Sequence, residues 1–128
     1  MSSWNRPLHV RAGSQPASWL KTHDFRFLVR SDDTGGSCSA MVIVPLPGSG
    51  PGPHVHEEAE EAFYVLDGEL TFRVGDEAYE ATTGDLVHVP RGMVHSSTVG
   101  TRPVRYFALL TPGGDEKRLQ EATAPEPS

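Results

Sequence analysis

Three histidines and one glutamate, His54, His56, Glu61 and His95, are the residues of this chain best suited to chemistry. Each of these side chains can coordinate a metal ion through nitrogen or oxygen. His54 and His56 are two residues apart, and side chains two apart on a β-strand point to the same face. Two imidazoles on one face, a carboxylate shortly after them and a third imidazole from elsewhere make a mixed nitrogen and oxygen site. Such a site suits one divalent metal ion, with Fe, Mn, Ni, Zn, Co and Cu as the candidates.

The size and composition of the chain predict a single all-β domain. Its 128 residues are enough to bury a core without disulfides, and the single Cys38 cannot form one within the chain. The 13 glycines and 11 prolines favour short strands joined by turns. We expect an irregular N-terminal arm over residues 1–20, a β-barrel domain over 21–112 and a polar C-terminal tail over 113–128.

The charge pattern argues against two classes of partner. The formal net charge is −6, and no Lys/Arg cluster forms a stripe or a tail. Nucleic acids and anionic membranes are therefore disfavoured, and a small molecule is the expected partner. The N-terminus lacks the apolar run of a signal peptide, no segment is long enough to cross a bilayer, and the lone cysteine suits a reducing compartment. These features predict a cytoplasmic protein.

If the histidine pair faces the inside of a closed β-structure, its metal would lie in an interior cavity. We call this cavity the cup, and the side chains at inward-facing strand positions would line it. The residues predicted to line this cup are mostly apolar: Met41, Phe63, Val65, Phe72 and Phe107. Met93, beside the entrance, either lines the pocket or fills the core. The strand phase assigns Tyr64 and Tyr106 to the outer face.

The spacing of these residues resembles the two sequence motifs of the cupin family. The first motif matches at Gly48, His54, His56, Glu61 and Gly68, and the second at Gly84, Pro90, Gly92 and His95, with Val99 where the family often has Asn. Two motifs in order are far more specific than a lone His-x-His. The resemblance covers residues 35–112 and implies a single-domain, cupin-type jelly-roll β-barrel. It also implies that His54, His56, Glu61 and His95 are metal ligands.

The choice between two neighbouring glutamates rests on spacing and phase. Glu60 and Glu61 both lie at a permitted distance from the histidines, but only Glu61 leaves six residues before Gly68. Glu61 also alternates in phase with Phe63 and Val65, which are predicted to face the cup. Glu61 is therefore the expected ligand. It is also the candidate catalytic residue, acting as a base if its carboxylate leaves the metal.

The resemblance implies a metal-dependent enzyme that acts on a small molecule. Residues 84–95 and the ending at 111–114 are similar to the quercetin-dioxygenase-like subgroup, which favours a mononuclear metal dioxygenase acting on a phenolic or enolisable substrate. Two alternatives stay open: a redox-neutral Lewis-acid enzyme such as an aromatic polyketide cyclase or isomerase, and a non-catalytic protein that binds a small ligand. No Lys/Arg pair lies at inward positions, which argues against phosphosugar substrates.

The N-terminal arm favours a homodimer. Trp4 and Trp19 lie in a segment with little apolar surface of its own to bury them. Small cupins commonly dimerise through barrel faces and exchanged N-terminal strands. The two tryptophans are therefore predicted to pack against the barrel or a second subunit.

Overall fold

The structure is a computed structural model that describes residues 6–14, 18–20, 23–117 and 124–125, with only the backbone at 18–20, 23 and 124–125. Within these residues the chain forms ten strands: β1 (Ser18–Leu20), β2 (His23–Val29), β3 (Ser39–Pro45), β4 (Glu60–Asp67), β5 (Glu69–Val74), β6 (Glu77–Thr82), β7 (Leu86–Val89), β8 (His95–Val99), β9 (Arg105–Thr111) and β10 (Ala124–Pro125). A 3-10 helix, Ser31–Asp33, follows β2. No helix in the described part of the chain is long and apolar enough to cross a membrane.

The strands form two antiparallel sheets. The larger has the order β10-β1-β2-β3-β9-β4-β7, and the smaller has the order β6-β5-β8. Neighbouring strands in the larger sheet include pairs distant in sequence, such as β3 with β9 and β9 with β4. This all-β, jelly-roll arrangement is the fold predicted from the sequence.

The core lies between the two sheets because each sheet turns one apolar face inward. On β5 every second residue is buried, namely Leu70, Phe72 and Val74. On β4 the buried positions are Glu61, Phe63 and Val65, in the alternating phase predicted for that strand. Glu61 is therefore a carboxylate set into the core face of a strand.

A turn at Gly68 joins the two sheets through β4 and β5. Its φ of 100° lies in the region that L-residues rarely adopt. A Cβ at this position would also stand 2.6 Å from the carbonyl oxygen of Pro103. Only glycine fits here, so the Asp67–Gly68 turn predicted from sequence has both a conformational and a steric cause.

The proline-rich loop before His54 runs along the edge of β8. Pro51 O accepts a hydrogen bond from Ser97 N–H at 3.1 Å, and Ser49 O accepts one from Val99 N–H at 2.9 Å. This pairing carries the chain beside β8 until it reaches His54. The predicted packing of Trp4 and Trp19 concerns side chains outside the described residues.

Candidate metal centre

The structure brings His54, His56, Glu61 and His95 together on one wall inside the barrel. One ligand atom of each residue can be chosen so that all four lie within 4.8 Å of one another. Glu61 Oε1 is 3.1 Å from His95 Nε2 and 3.3 Å from His56 Nε2. The His54 and His95 ring centroids are 4.1 Å apart. The four residues, which lie within a 42-residue stretch of the sequence, thus form a single cluster.

Backbone hydrogen bonds place the histidines relative to one another. His54 and His95 form an antiparallel bridge, with His54 N–H donating to His95 O at 3.0 Å and His95 N–H donating to His54 O at 2.9 Å. Gly92 N–H donates to His56 O at 2.8 Å. The two sequence motifs are therefore tied to each other at the site. The His-x-His segment itself is not a full strand, since only His54 forms a bridge.

Glu61, rather than Glu60, enters the cluster. The Glu61 residue is buried at 5% exposure. Glu60 turns the other way, and its carboxylate lies 3.8 Å from the exposed His88. This is the outcome that strand alternation predicts for two successive residues.

In each of the three histidines of the cluster, the Nδ1 atom is within hydrogen-bonding distance of an oxygen atom. His54 Nδ1 donates to Gly52 O at 2.7 Å, and His95 Nδ1 donates to Met93 O at 3.0 Å. A carbonyl oxygen only accepts, so these two rings carry their proton on Nδ1. His56 Nδ1 lies 2.7 Å from a carboxylate oxygen of Asp115. Each ring is thereby oriented with Nε2 free to bind an ion.

The donor set fits a divalent cation. A neutral imidazole has one N–H, so with that proton on Nδ1 the Nε2 lone pairs of His56 and His95 face the Glu61 oxygen. A cation or extra protons between them relieves this repulsion. Glu61 Oε1 lies 3.1 and 3.3 Å from these two Nε2 atoms, so the donors are close enough together to share one ion. His54, His56, Glu61 and His95 can therefore hold one metal ion.

The pKa shifts in the cluster follow from a carboxylate placed among imidazoles. Burial alone would raise the pKa of Glu61, but in the ion-free cluster, where protons on Nε2 take the place of the cation, hydrogen bonds from His56 and His95 lower it. Burial alone would lower the pKa of His56, but hydrogen bonds to Glu61 and Asp115 raise it. Burial is the main reason why the pKa of His54 is lowered. Glu61 is thus ionised and His54 neutral at neutral pH, the forms that bind a cation.

The cluster forms one wall of a cavity of about 320 Å³. We call His54, His56, Glu61, His95 and Asp115 the polar wall, and Phe25, Phe63, Phe72 and Tyr106 the aromatic wall. The Phe63 and Phe72 rings stack at 4.8 Å, and Tyr106 meets both edge-on at 5.7 and 5.6 Å. The ring centroids of Phe63 and His95 are 6.0 Å apart, so the two walls adjoin.

The lining residues agree in part with those predicted. Met41, Phe63 and Phe72 line the cavity. Val65 is fully buried in the core and is not part of the lining, so that prediction is wrong. Met93 is also wrong as a lining residue: its side chain is 38% exposed and borders a separate groove beside Val74. Its contribution to the site is its carbonyl oxygen.

The predicted phase of β9 is reversed. Tyr106 is fully buried and lines the cavity, whereas Phe107 is only partly buried and lies outside the lining. Tyr64 does lie on the outer face, at 43% exposure, as predicted. In the register of the sheet, Phe107 pairs with Val42 and Tyr64, so it shares their outward face. The cavity therefore gains a phenol, Tyr106, where a third phenylalanine, Phe107, was predicted.

Two polar features of the cavity were missed by the sequence reasoning. Asp115 lies in the segment predicted to be a polar tail, yet it lines the cavity and contacts His56. Tyr106 Oη lies 3.3 Å from Ser97 Oγ, and both residues are buried. Asp115, Tyr106 and Ser97 do not belong to either motif, and only the fold brings them to the site.

Comparison with known proteins identifies the family. A family model described as a cupin domain matches residues 41–110, more than half of the chain. The chain belongs to the cupin family. The match includes all four residues of the candidate metal centre. Their geometry is compatible with a single bound ion.

Two curated proteins and one solved structure show what this cupin is similar to. It is 33% identical over 60 residues to quercetin 2,3-dioxygenase from Bacillus subtilis, covering 47% of this chain and 18% of that protein. It is 30% identical over 74 residues to an uncharacterised protein of Methanocaldococcus jannaschii, covering 57% and 58% of the two chains. The match thus spans less than two thirds of either relative. KdgF from Halomonas sp. superposes with a TM-score of 0.77 at 15% identity, covering 86% of this chain and 99% of that one.

Proposed function

We propose that this cupin is a metal-dependent enzyme, a mononuclear metal dioxygenase-like oxidoreductase acting on a phenolic or enolisable small molecule. The observation that carries the proposal is the cavity in which the His54/His56/Glu61/His95 cluster adjoins an aromatic wall. The similarity to quercetin 2,3-dioxygenase over 60 residues supports the same class of reaction.

The polar wall supplies the ligands for the ion. Nε2 of each of the three histidines and the carboxylate of Glu61 would hold it, because the Nδ1 atoms are committed to other partners. When bound, a divalent ion supplies Lewis-acid polarisation of a substrate oxygen, and a redox-active ion also supplies electron transfer with dioxygen. Iron, manganese, nickel, cobalt and copper would support both kinds of chemistry, whereas zinc would support only the first.

The aromatic wall favours a planar, ring-containing substrate. Aromatic rings in proteins prefer offset-stacked or edge-on contacts with centroids about 4.5–7 Å apart, and Phe63, Phe72 and Tyr106 already use both arrangements. A cavity of about 320 Å³ lies at the small end of the range for ligand pockets. We therefore propose a substrate with one or two rings.

The charge of the cavity favours a neutral or singly charged substrate. Glu61 and Asp115 each carry a negative charge, and none of the described lining residues is Lys or Arg. With neutral imidazoles and a divalent ion the net charge of the site is close to zero. A phosphorylated or doubly anionic substrate would lack a cationic partner, whereas a phenolate or enolate would need only the ion.

Glu61 and Tyr106 are the residues we propose for proton handling. Glu61 is ionised and has two oxygens, so it can hold the ion with one and take a proton from the substrate hydroxyl with the other. Burial raises the pKa of the Tyr106 hydroxyl, which therefore stays protonated and able to donate a hydrogen bond into the cavity. Loss of a general base typically slows a reaction about 100- to 10,000-fold. A Glu61→Gln protein that binds metal normally and keeps full activity would exclude this role for Glu61.

Oxygen uptake tests the proposed reaction class. The purified protein would be reconstituted separately with Fe(II), Mn(II), Ni(II), Co(II), Cu(II) and Zn(II), and incubated with a panel of flavonols, catechols and 1,3-diketones in an oxygen electrode. We expect uptake that depends on both substrate and metal and is absent in His54→Ala/His56→Ala. Equal turnover under argon would instead indicate the redox-neutral cyclase or isomerase alternative. Saturable binding without turnover in any state would indicate a binding protein.

We also propose that the protein is a cytoplasmic homodimer. The proposal on assembly rests on Trp4 and Trp19 in the N-terminal arm. Light scattering is expected to give twice the mass of the 13.9 kDa chain. A monomer at micromolar concentration would contradict it.

A further inference from the structure

The segment that follows β9 is attached to the barrel at several points. We call residues 113–117 the C-terminal clasp. Gly113 N–H donates to Gly36 O at 2.9 Å, and a Cβ on Gly113 would stand 2.7 Å from the backbone of Cys38. The clasp therefore begins with a close backbone contact that only glycine permits.

A buried glutamate continues the attachment. Glu116 has no exposed surface, and its carboxylate accepts hydrogen bonds from Ser31 N–H at 2.5 Å and from Gly114 N–H at 2.7 Å. Hydrogen bonds to a buried carboxylate are among the stronger ones in proteins. On the surface, Lys117 Nζ lies 3.1 Å from an oxygen of the exposed Asp32. These contacts fix the backbone on the C-terminal side of Asp115.

The three metal-binding histidines differ in what holds their Nδ1 atoms. His54 and His95 are held by carbonyl oxygens two residues before them in the chain, Gly52 O and Met93 O. His56 is held by a side chain 59 residues away, that of Asp115. The orientation of His56 thus depends on the clasp, while the other two rings depend on their own turns.

The alternative partner of His56 would work against metal binding. Besides Asp115, Glu61 also lies near the ring, with its Oε1 3.3 Å from Nε2. Without Asp115, the ring proton would move to Nε2 and donate to Glu61. An imidazole protonated on Nε2 cannot bind the ion through that atom.

We propose that Asp115 is a positioning residue of the metal centre, which keeps the His56 proton on Nδ1 and thereby couples the C-terminal clasp to the ion. The inference rests on the metal-binding part of the proposed function and is independent of the reaction. It assigns the segment predicted as a polar tail to the functional site. Outer partners of this kind typically change metal affinity about 10- to 100-fold.

The first test reads the position of the proton without metal. Long-range ¹H–¹⁵N NMR spectra of the metal-free protein, recorded at alkaline pH where the imidazoles are neutral, distinguish the two tautomers of each histidine ring. We expect His56 to carry its proton on Nδ1 in the wild type and in Asp115→Asn, whose amide oxygen still accepts. In Asp115→Ala the proton is expected on Nε2. An unchanged His56 tautomer in Asp115→Ala would overturn the proposal.

The second test measures affinity for Zn(II) and Co(II) by competition with a chelating dye. Asp115→Ala is expected to weaken binding about 10- to 100-fold, and Asp115→Asn is expected to recover most of the loss. The matched control is Asp32→Ala, which removes an exposed carboxylate from the clasp contact with Lys117 and should leave the affinity unchanged. Wild-type affinity in Asp115→Ala would overturn the proposal and leave the metal site intact. A tautomer change in a protein that binds no metal would instead overturn the proposed function.

Discussion

The two walls of the cavity are built in different ways. The polar wall takes its residues from the segment between β3 and β4, strand β4, the start of β8 and the C-terminal clasp. The aromatic wall takes its residues from strand interiors in both sheets. Packed aromatic rings stabilise the fold by leaving water. Clustered imidazoles and carboxylates at a partly buried site cost stability unless a cation or protons satisfy them. The polar wall is therefore the part of the cavity suited to holding an ion. The aromatic wall stabilises the fold and, in the proposed function, also shapes the substrate site.

The largest effect that separates the two walls is expected from Phe72→Ala. Phe72 is 1% exposed and stacks on Phe63. Its truncation should lower the free energy of unfolding by about 3–5 kcal/mol, measured by urea denaturation of the metal-free protein. The matched control is Tyr64→Ala, an aromatic truncation on the outer face of the neighbouring sheet, which should cost much less because Tyr64 is 43% exposed. Equal losses in the two variants would contradict the role of the aromatic wall as a buried, stabilising part of the core.

A smaller effect is expected from Tyr106→Phe. The change keeps the ring and removes only the hydroxyl that lies 3.3 Å from Ser97 Oγ. Stability should fall by roughly 0.5–1.5 kcal/mol because the buried Ser97 loses its partner. Metal affinity should be unchanged, since the polar wall is intact. A large loss of metal binding in this variant would show that the aromatic wall also holds the ion.

The smallest effect concerns pH and belongs to the polar wall alone. In the metal-free protein the pKa of His54 is lowered and that of His56 is raised from the ordinary value of 6.5. Below pH 6.5 the unfolded chain binds a proton at His54 that the folded chain lacks, so stability falls as pH drops. Above pH 6.5 the folded chain keeps a proton on His56 that the unfolded chain has lost, so stability falls as pH rises.

These two slopes predict a maximum of stability near pH 6.5 for the metal-free protein. Chemical denaturation across the neutral range, in the presence of a chelator, measures it. His56→Gln should remove the decline on the alkaline side and keep the acid side. Glu61 adds a further loss in acid, as pH drops below its ordinary value of 4.5, because its pKa is lowered in the folded state. A wild-type stability that rises steadily through the alkaline side would contradict the raised pKa of His56.

The polar wall was largely predictable from the sequence because its residues lie in short, ordered motifs. On β4, alternation distinguishes Glu61 from Glu60 because Glu61 shares the phase of the apolar Phe63 and Val65. On β9 the same method failed. Residues 106–110 are all apolar or aromatic, so the sequence does not show which of them face inward. The prediction therefore placed Phe107 inside and Tyr106 outside, the reverse of what the structure shows. The pairing of β9 between β3 and β4 decides which face is inward.

The contact of Asp115 with the site could not be predicted from the sequence, for a different reason. Its partner His56 is 59 residues away, and no local pattern links them. Two adjacent glycines, Gly113 and Gly114, are the one local sign that the chain approaches another backbone closely. Met93 shows a related limit, because its carbonyl, and not its side chain, serves the site. A carbonyl that accepts a hydrogen bond, as Met93 O does, can belong to any residue type, so the sequence does not mark it.

Metal content shows whether His54, His56, Glu61 and His95 form a metal centre. Wild-type protein and His54→Ala/His56→Ala would be loaded with a divalent ion, freed of excess by gel filtration and analysed for metal and protein. We expect about one equivalent of bound metal per chain in the wild type and none in the variant, with both proteins folded. No bound metal in the wild type after loading, or equal metal in both, would contradict the assignment of His54, His56, Glu61 and His95 as a metal centre.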